Sequence, residues 1–158
     1  MKKLQSFIDL FEENSIMVEH SCTEDLNIEN ISYNSREVTE NTLFFCKGAH
    51  FKEQFLCDAV NKGAVAYVSL QKYDVDIPCI LVSDIRKALY STANFFYDNA
   101  WEKLNLIGIT GTKGKTTTTY MVKSILEGVG HKVGLIGTIA IYIGDKKVNS
   151  SVIKVTGS

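Results

Sequence analysis

At 158 residues the chain can hold one medium domain, or a small domain with part of a second. Apolar residues make up 45% and charged residues 22%, an ordinary soluble composition, and a net charge of -1 gives no electrostatic reason to expect nucleic acid or an anionic membrane as partner. With no overall positive charge, any binding of phosphate must rest on local chemistry, and no apolar run approaches the ~18 residues of a membrane span.

Leu4, Phe7, Ile8 and Phe11 recur at helical spacing and predict a first helix ending near Asn14. Short apolar segments at 16–18, 28–33, 43–46, 64–69 and 79–82 read as strands. Residues 53–62 read as a helix stopped by Gly63, and 84–98 as another with Ser83 or Asp84 as N-cap. This alternation makes the first hundred residues an α/β unit, with Phe95, Phe96, Tyr97 and Trp101 as core and domain seam. Cys22, Cys46, Cys57 and Cys79 form no C-x-x-C pair, and the last three sit in apolar surroundings, as reduced core thiols do. His20, His50 and His131 are isolated and read as surface or capping residues.

A second unit is expected from Trp101 onward. Residues 104–119 read LNLIGITGTKGKTTTT, in which 105–109 has the β-branched content of a buried parallel strand and 115–127 can continue as a helix. In a strand–loop–helix of this kind, the backbone amides of 111–116 point into one concavity at a positive helix N-terminus, which suits polyphosphate. Lys115 would reach the outer phosphates, and the Thr116 hydroxyl is placed to ligate the Mg²⁺ that accompanies a nucleotide. The general pattern G-x-x-x-x-G-K-[ST] asks for glycine at 109, where this chain has Ile109; with Gly108 and Gly111 instead, the loop is a variant. Four consecutive threonines are poor helix formers; Thr116 reads as functional, Thr118 and Thr119 as packing or capping. Downstream, Gly128 and Gly130 lead to a strand at 133–136 and a hairpin of 139–143 with 146–148, turning at Gly144-Asp145. The expected architecture is α/β: a small amino-terminal α/β domain over 1–100, then the first part of a P-loop Rossmann-like ATPase domain over 101–158. There Val122, Ile125 and Leu126 would cover one face of a parallel sheet.

The segments SYNSREVTENTLFFCKG, NKGAVAYV, GITGTKGKTTTT and KVGLIGTI follow one another in this order. Over nearly its whole length the chain thereby resembles the amino-terminal part of the Mur ligase family, most like the MurE type, the UDP-N-acetylmuramoyl-tripeptide synthetases. TGTKGKT is the most specific element, and GLIGTI favours the MurE over the MurF type. The resemblance implies a ligase of peptidoglycan precursor synthesis that uses ATP and Mg²⁺ to convert a substrate carboxylate to an acyl phosphate. An amino acid, L-lysine or meso-diaminopimelate, then attacks, adding the third residue to UDP-MurNAc-L-Ala-D-Glu.

By that resemblance Lys115 is catalytic, Gly111, Thr112, Lys113, Gly114, Lys115, Thr116 and Thr117 bind ATP, and Thr116 is a metal ligand. In the first domain it implies UDP-substrate contacts at Tyr33, Ser35, Arg36, Ala49, His50 and Phe51, with Ser35 hydrogen-bonding the uracil. Asn34 stands where the family has aspartate; an amide keeps the hydrogen bonds of a turn but not the charge. The expected partners are the UDP-MurNAc-dipeptide and an amino acid, with neither nucleic acid nor membrane, for a cytoplasmic monomer. A further catalytic lysine of the family, besides the loop lysine that corresponds to Lys115, falls beyond residue 158 together with further Mg²⁺ ligands and the amino-acid site, and Thr156-Gly157-Ser158 at most grazes its T-T-P/G motif. The chain is therefore read as a fragment inactive by itself. The competing readings are a MurF-type ligase, a folylpolyglutamate-like relative, which the early S-R motif disfavours, and a stand-alone nucleotide-binding module without turnover.

Overall fold

The computed structural model describes residues 1–48 and 51–148, which fall into two compact units, Met1–Asn105 and a second beginning at Leu106. In the first, β1 (Lys2–Lys3), α1 (Leu4–Glu13), β2 (Met17–His20), β3 (Asn27–Ile28), β4 (Asn30–Ser32), β5 (Thr42–Phe45), α2 (Glu53–Asn61), β6 (Ala64–Ser69), β7 (Cys79–Val82) and α3 (Ile85–Phe96) follow one another. Five strands form a sheet in the order β2-β7-β6-β5-β4. Its members β4 to β7 are parallel, and β2 closes the edge antiparallel to β7.

Side-chain alternation decides which helix covers which face. Leu43, Phe45, Ala66, Val68, Ile80 and Val82 point to one side, where Leu4, Phe7, Ile8 and Phe11 of α1 and Ala88 of α3 meet them. Phe44, Tyr67 and Cys79 point to the other, under Leu56 and Ala59 of α2. Both faces are thus dry, as a parallel sheet requires. Phe7 packs edge-on against Phe95 at 5.3 Å and lies 6.5 Å from Phe96. Of the four aromatics expected as core and domain seam, Tyr97 and Trp101 stay outside this core and are exposed; Asp98 and Asn99 between them adopt positive φ, where the chain turns after α3. Asp84 is the N-cap of α3: its carboxylate accepts from the amides of Arg86 (2.8 Å) and Lys87 (3.0 Å), and the Lys87 amide above all holds it below the usual aspartate range.

Two expectations for this unit need correction. The strand expected over 28–33 is split at Glu29: β3 pairs antiparallel with β1, while β4 pairs in parallel with β5. Each half therefore follows a different neighbour. Cys57 is half-buried rather than in the core, where Cys46 and Cys79 are buried; burial pushes the Cys46 thiol up to about 12.

The second unit holds α4 (Lys115–Gly128), then β8 (Gly134–Ile136), β9 (Ile141–Ile143) and β10 (Lys146–Val148), with strand order β10-β9-β8. Among the described residues all of its pairings are antiparallel, so a meander stands there in place of the parallel sheet expected. No strand forms over 105–109: Leu106 and Ile107 are 71% and 62% exposed, and among the described residues no strand pairs with them. A buried parallel strand needs hydrogen-bonding neighbours and cover on both faces, and an apolar run without them stays extended and wet. For the same reason α4 buries no residue completely; Ile125 is 67% exposed, and Val122 and Leu126 are half-buried. Among the described residues no helix is long and apolar enough to cross a membrane.

Of the glycines in the first unit, Gly63, between α2 and β6, is the one approached closely by other backbone. Its φ is +105°, and a Cβ there would lie 2.8 Å from the Cα of Glu40. Both terms oppose any side chain, so Gly63→Ala is expected to destabilise the chain by about 1–3 kcal/mol in denaturant unfolding. A midpoint unchanged from the parent would contradict this packing.

Candidate functional site

The four parallel strands of the first unit deliver their following residues to one edge, where open α/β sheets bind ligands. Cys46 and Lys47 follow β5, Leu70 and Gln71 follow β6, and Ile85 and Arg86 open α3 after β7. These residues, with Gly48, Phe51 and Tyr73, enclose a cleft of ≈ 450 Å³. Its aromatic wall is fixed from beneath. The rings of Phe51 and Tyr73 pack at 5.6 Å with their planes tilted by 58°, and Tyr73 is clamped by the buried Tyr67, whose phenol accepts from the Tyr73 amide (3.0 Å) and donates to its carbonyl (3.3 Å). Burial pushes the Tyr67 phenol up to about 12, so it stays a neutral donor throughout the physiological range.

Tyr33 immediately follows β4 and is 41% exposed, with the Lys47 ammonium 5.1 Å from its ring centre. Lys47 therefore joins the β4 end to the cleft. The next residues form a tight turn. Ser32 Oγ accepts from the Asn34 amide (3.1 Å), Asn34 Oδ1 accepts from the Arg36 amide (3.1 Å), and Lys62 Nζ donates to the Ser35 carbonyl (2.8 Å). Asn34 thus does what an aspartate would do in an Asx turn, without the charge. Ser35 is half-buried and Arg36 exposed; neither lines the cleft. Phe51 does, while Ala49 and His50 lie outside the described residues.

In the second unit the loop 111–114 turns into α4 through Gly114, the N-cap, at φ +77° and ψ -6°. A Cβ at Gly114 would meet nothing within 4 Å, so glycine is required by the left-handed backbone and not by crowding. Lys115 Nζ donates to the Gly111 carbonyl, folding the ammonium back over the loop. Thr118 Oγ1 donates to Gly114 O (2.9 Å) and Thr119 Oγ1 to Thr116 O (2.7 Å), so both hydroxyls are spent on the helix. Among the described residues the Thr116 and Thr117 hydroxyls make no hydrogen bond. Gly111, Thr112, Lys113, Gly114, Lys115, Thr116 and Thr117 are all exposed. An open loop at a helix N-terminus, a lysine tethered only to that loop and an uncommitted hydroxyl fit a Mg²⁺-bound polyphosphate.

Lys47, Gln71, Tyr73 and Arg86 belong to no motif. The signal that could have found them is positional: each lies within four residues after a buried parallel strand.

Solved structures share the fold. MurF from Acinetobacter baumannii aligns with a TM-score of 0.60 at 22% identity over 89% of this chain and 31% of its own. A UDP-N-acetylmuramoyl-L-alanyl-D-glutamate–2,6-diaminopimelate ligase aligns with a TM-score of 0.60 at 21% identity over 76% and 26%. That likeness defines the class by fold: an α/β protein built like part of those ligases. Sequence makes the assignment closer. Residues 109–156 match the Mur ligase middle domain. The chain is 42% identical over 146 residues to the UDP-N-acetylmuramoyl-L-alanyl-D-glutamate–L-lysine ligase of Streptococcus pneumoniae, covering 88% of this chain and 30% of that one. It is 51% identical over 132 residues to a 2,6-diaminopimelate ligase of Clostridium acetobutylicum, covering 80% and 27%. The chain belongs to the Mur ligase family, on its MurE side, and spans about 30% of the length of these relatives.

Removing the Tyr67 hydroxyl leaves two Tyr73 backbone groups without partners inside a packed wall. Tyr67→Phe is expected to lower stability by about 1–2 kcal/mol, read from thermal unfolding. No change in midpoint would show that the clamp on Tyr73 is dispensable.

Proposed function

We propose that the chain supplies the UDP-substrate site and the ATP loop of a ligase that joins an amino acid to UDP-MurNAc-L-Ala-D-Glu. The observation that carries this reading is the 42% identity to a lysine-adding ligase. An alignment over 88% of 158 residues must include 33–117, and so takes in the cleft, the 33–36 turn and the glycine loop together. Relatives are named for lysine and for 2,6-diaminopimelate, so the incoming amine is that of a diamino acid.

Under this reading residues 1–100 are the UDP-binding domain, and residues from 101 onward open a P-loop Rossmann-like ATP-binding domain. The backbone amides of Gly111, Thr112, Lys113 and Gly114, with Thr117, surround the phosphates. Lys115 leaves the Gly111 carbonyl to neutralise phosphate charge, and the Thr116 hydroxyl takes the Mg²⁺. Bound ATP and Mg²⁺ would supply phosphoryl transfer to the substrate carboxylate, which makes it open to attack by an amine. Ser35 and Tyr33 hold the uracil end, with Arg36, Ala49, His50 and Phe51 as the neighbouring contacts. The reaction belongs in the cytoplasm, with the protein as a monomer.

The two ligands should separate by mutation. Ser35→Ala is expected to weaken UDP roughly fivefold while leaving Mg-ATP within twofold, and Lys115→Ala to weaken Mg-ATP roughly tenfold or more while sparing UDP. Calorimetric titration of the 158-residue chain reads both. Parallel loss of both ligands in either variant would contradict the assignment.

A further inference from the structure

The cleft carries two cations that the 33–36 turn does not account for. Lys47 and Arg86 both line it, one after β5 and one in the first turn of α3, and among the described residues neither forms an ion pair. Their polar neighbour in the cleft is Gln71, and the rest of the wall is apolar or aromatic: Phe51, Tyr73 and Ile85. The acid nearest Arg86 in sequence, Asp84, is turned away from this role. Its carboxylate accepts from the amides of Arg86 and Lys87, which also means that the amino end of α3 has already spent those N–H groups. An anion entering the cleft would therefore meet side-chain cations and not helix amides. Arg86 offers a planar fork of donors and Lys47 a point charge, from two different elements. Two such groups suit an anion with more than one phosphate, while the tilted Phe51–Tyr73 pair gives an aromatic wall beside it.

We infer that Arg86 and Lys47 are the diphosphate-binding residues of the nucleotide-sugar site, and that they set its preference for a nucleoside diphosphate over the bare nucleoside. The inference rests on the proposal that the first unit binds UDP. Lys47 couples the two halves of the site, because its ammonium also lies over Tyr33, the first residue after β4. A nucleoside diphosphate bound with its base toward Tyr33 and Ser35 would carry its phosphates toward Lys47 and on to Arg86.

The test is calorimetric titration of the 158-residue chain with uridine, UMP and UDP. Wild type should bind UDP at least roughly tenfold more tightly than uridine, an advantage that shrinks as salt rises from about 0.05 to about 0.5 M. Arg86→Ala and Lys47→Ala should each remove most of that advantage, leaving uridine within twofold, and Arg86→Lys should restore part of it. Arg86 is exposed, so the Arg86 variants are expected to keep the parent melting temperature. Ser35→Ala should instead weaken all three ligands alike. An advantage that persists in both cation variants, or that is insensitive to salt, overturns the inference while leaving the uridine site standing. Loss of the advantage in Lys115→Ala alone would move the phosphate contact to the glycine loop and overturn it as well. Failure of wild type to bind any of the three removes the UDP-site proposal and the inference together.

Discussion

Burial of both faces of the sheet built on β5, β6 and β7 is the constraint on which the first unit depends. With α1 and α3 on one side and α2 on the other, no strand face is left to hold a ligand, so recognition is confined to what the strands present beyond their carboxyl ends. That is where Tyr33, Lys47 and Gln71 emerge and where α3 begins. The Tyr67 clamp belongs to the same logic: a phenol in the core reaches the edge and fixes Tyr73, so the rigidity of the sheet is passed to the wall of the cleft.

The second unit obeys a different rule. Its glycine loop has local geometry written into a few residues, namely Gly114 at positive φ, Lys115 tethered to Gly111 and Thr118 capping back onto Gly114. None of this needs a deep core, and α4 has none: Met121, Ile125 and Val129 remain exposed. An anion-binding helix N-terminus can form from local backbone geometry, whereas a parallel strand cannot exist without its neighbours.

This difference explains what could be read from residues alone. Leu4, Phe7, Ile8 and Phe11 marked α1 because a helix records its buried face at local spacing, and 64–69 and 79–82 marked β6 and β7 because a strand buried on both faces is a bounded apolar run. The run at 105–109 has the same local signature and forms no strand, since pairing is decided by residues far away in sequence. The split at Glu29 was hidden for the same reason. In the candidate sites, the turn of the glycine loop into α4 was legible because its geometry is carried by contiguous residues. Lys47, Gln71, Tyr73 and Arg86 were not, because only the folded sheet brings the ends of three strands together.

The central claim is that two nucleotides are recognised by two separate units of one chain. Hydrogen–deuterium exchange of the 158-residue protein, measured with UDP and separately with Mg-ATP, tests it most directly. The account predicts that UDP slows exchange in residues 33–36, 46–48, 71–73 and 85–87, and that Mg-ATP slows exchange in 111–118. Protection of 111–118 by UDP with no change in the first unit, or protection of the first unit by Mg-ATP, would contradict it.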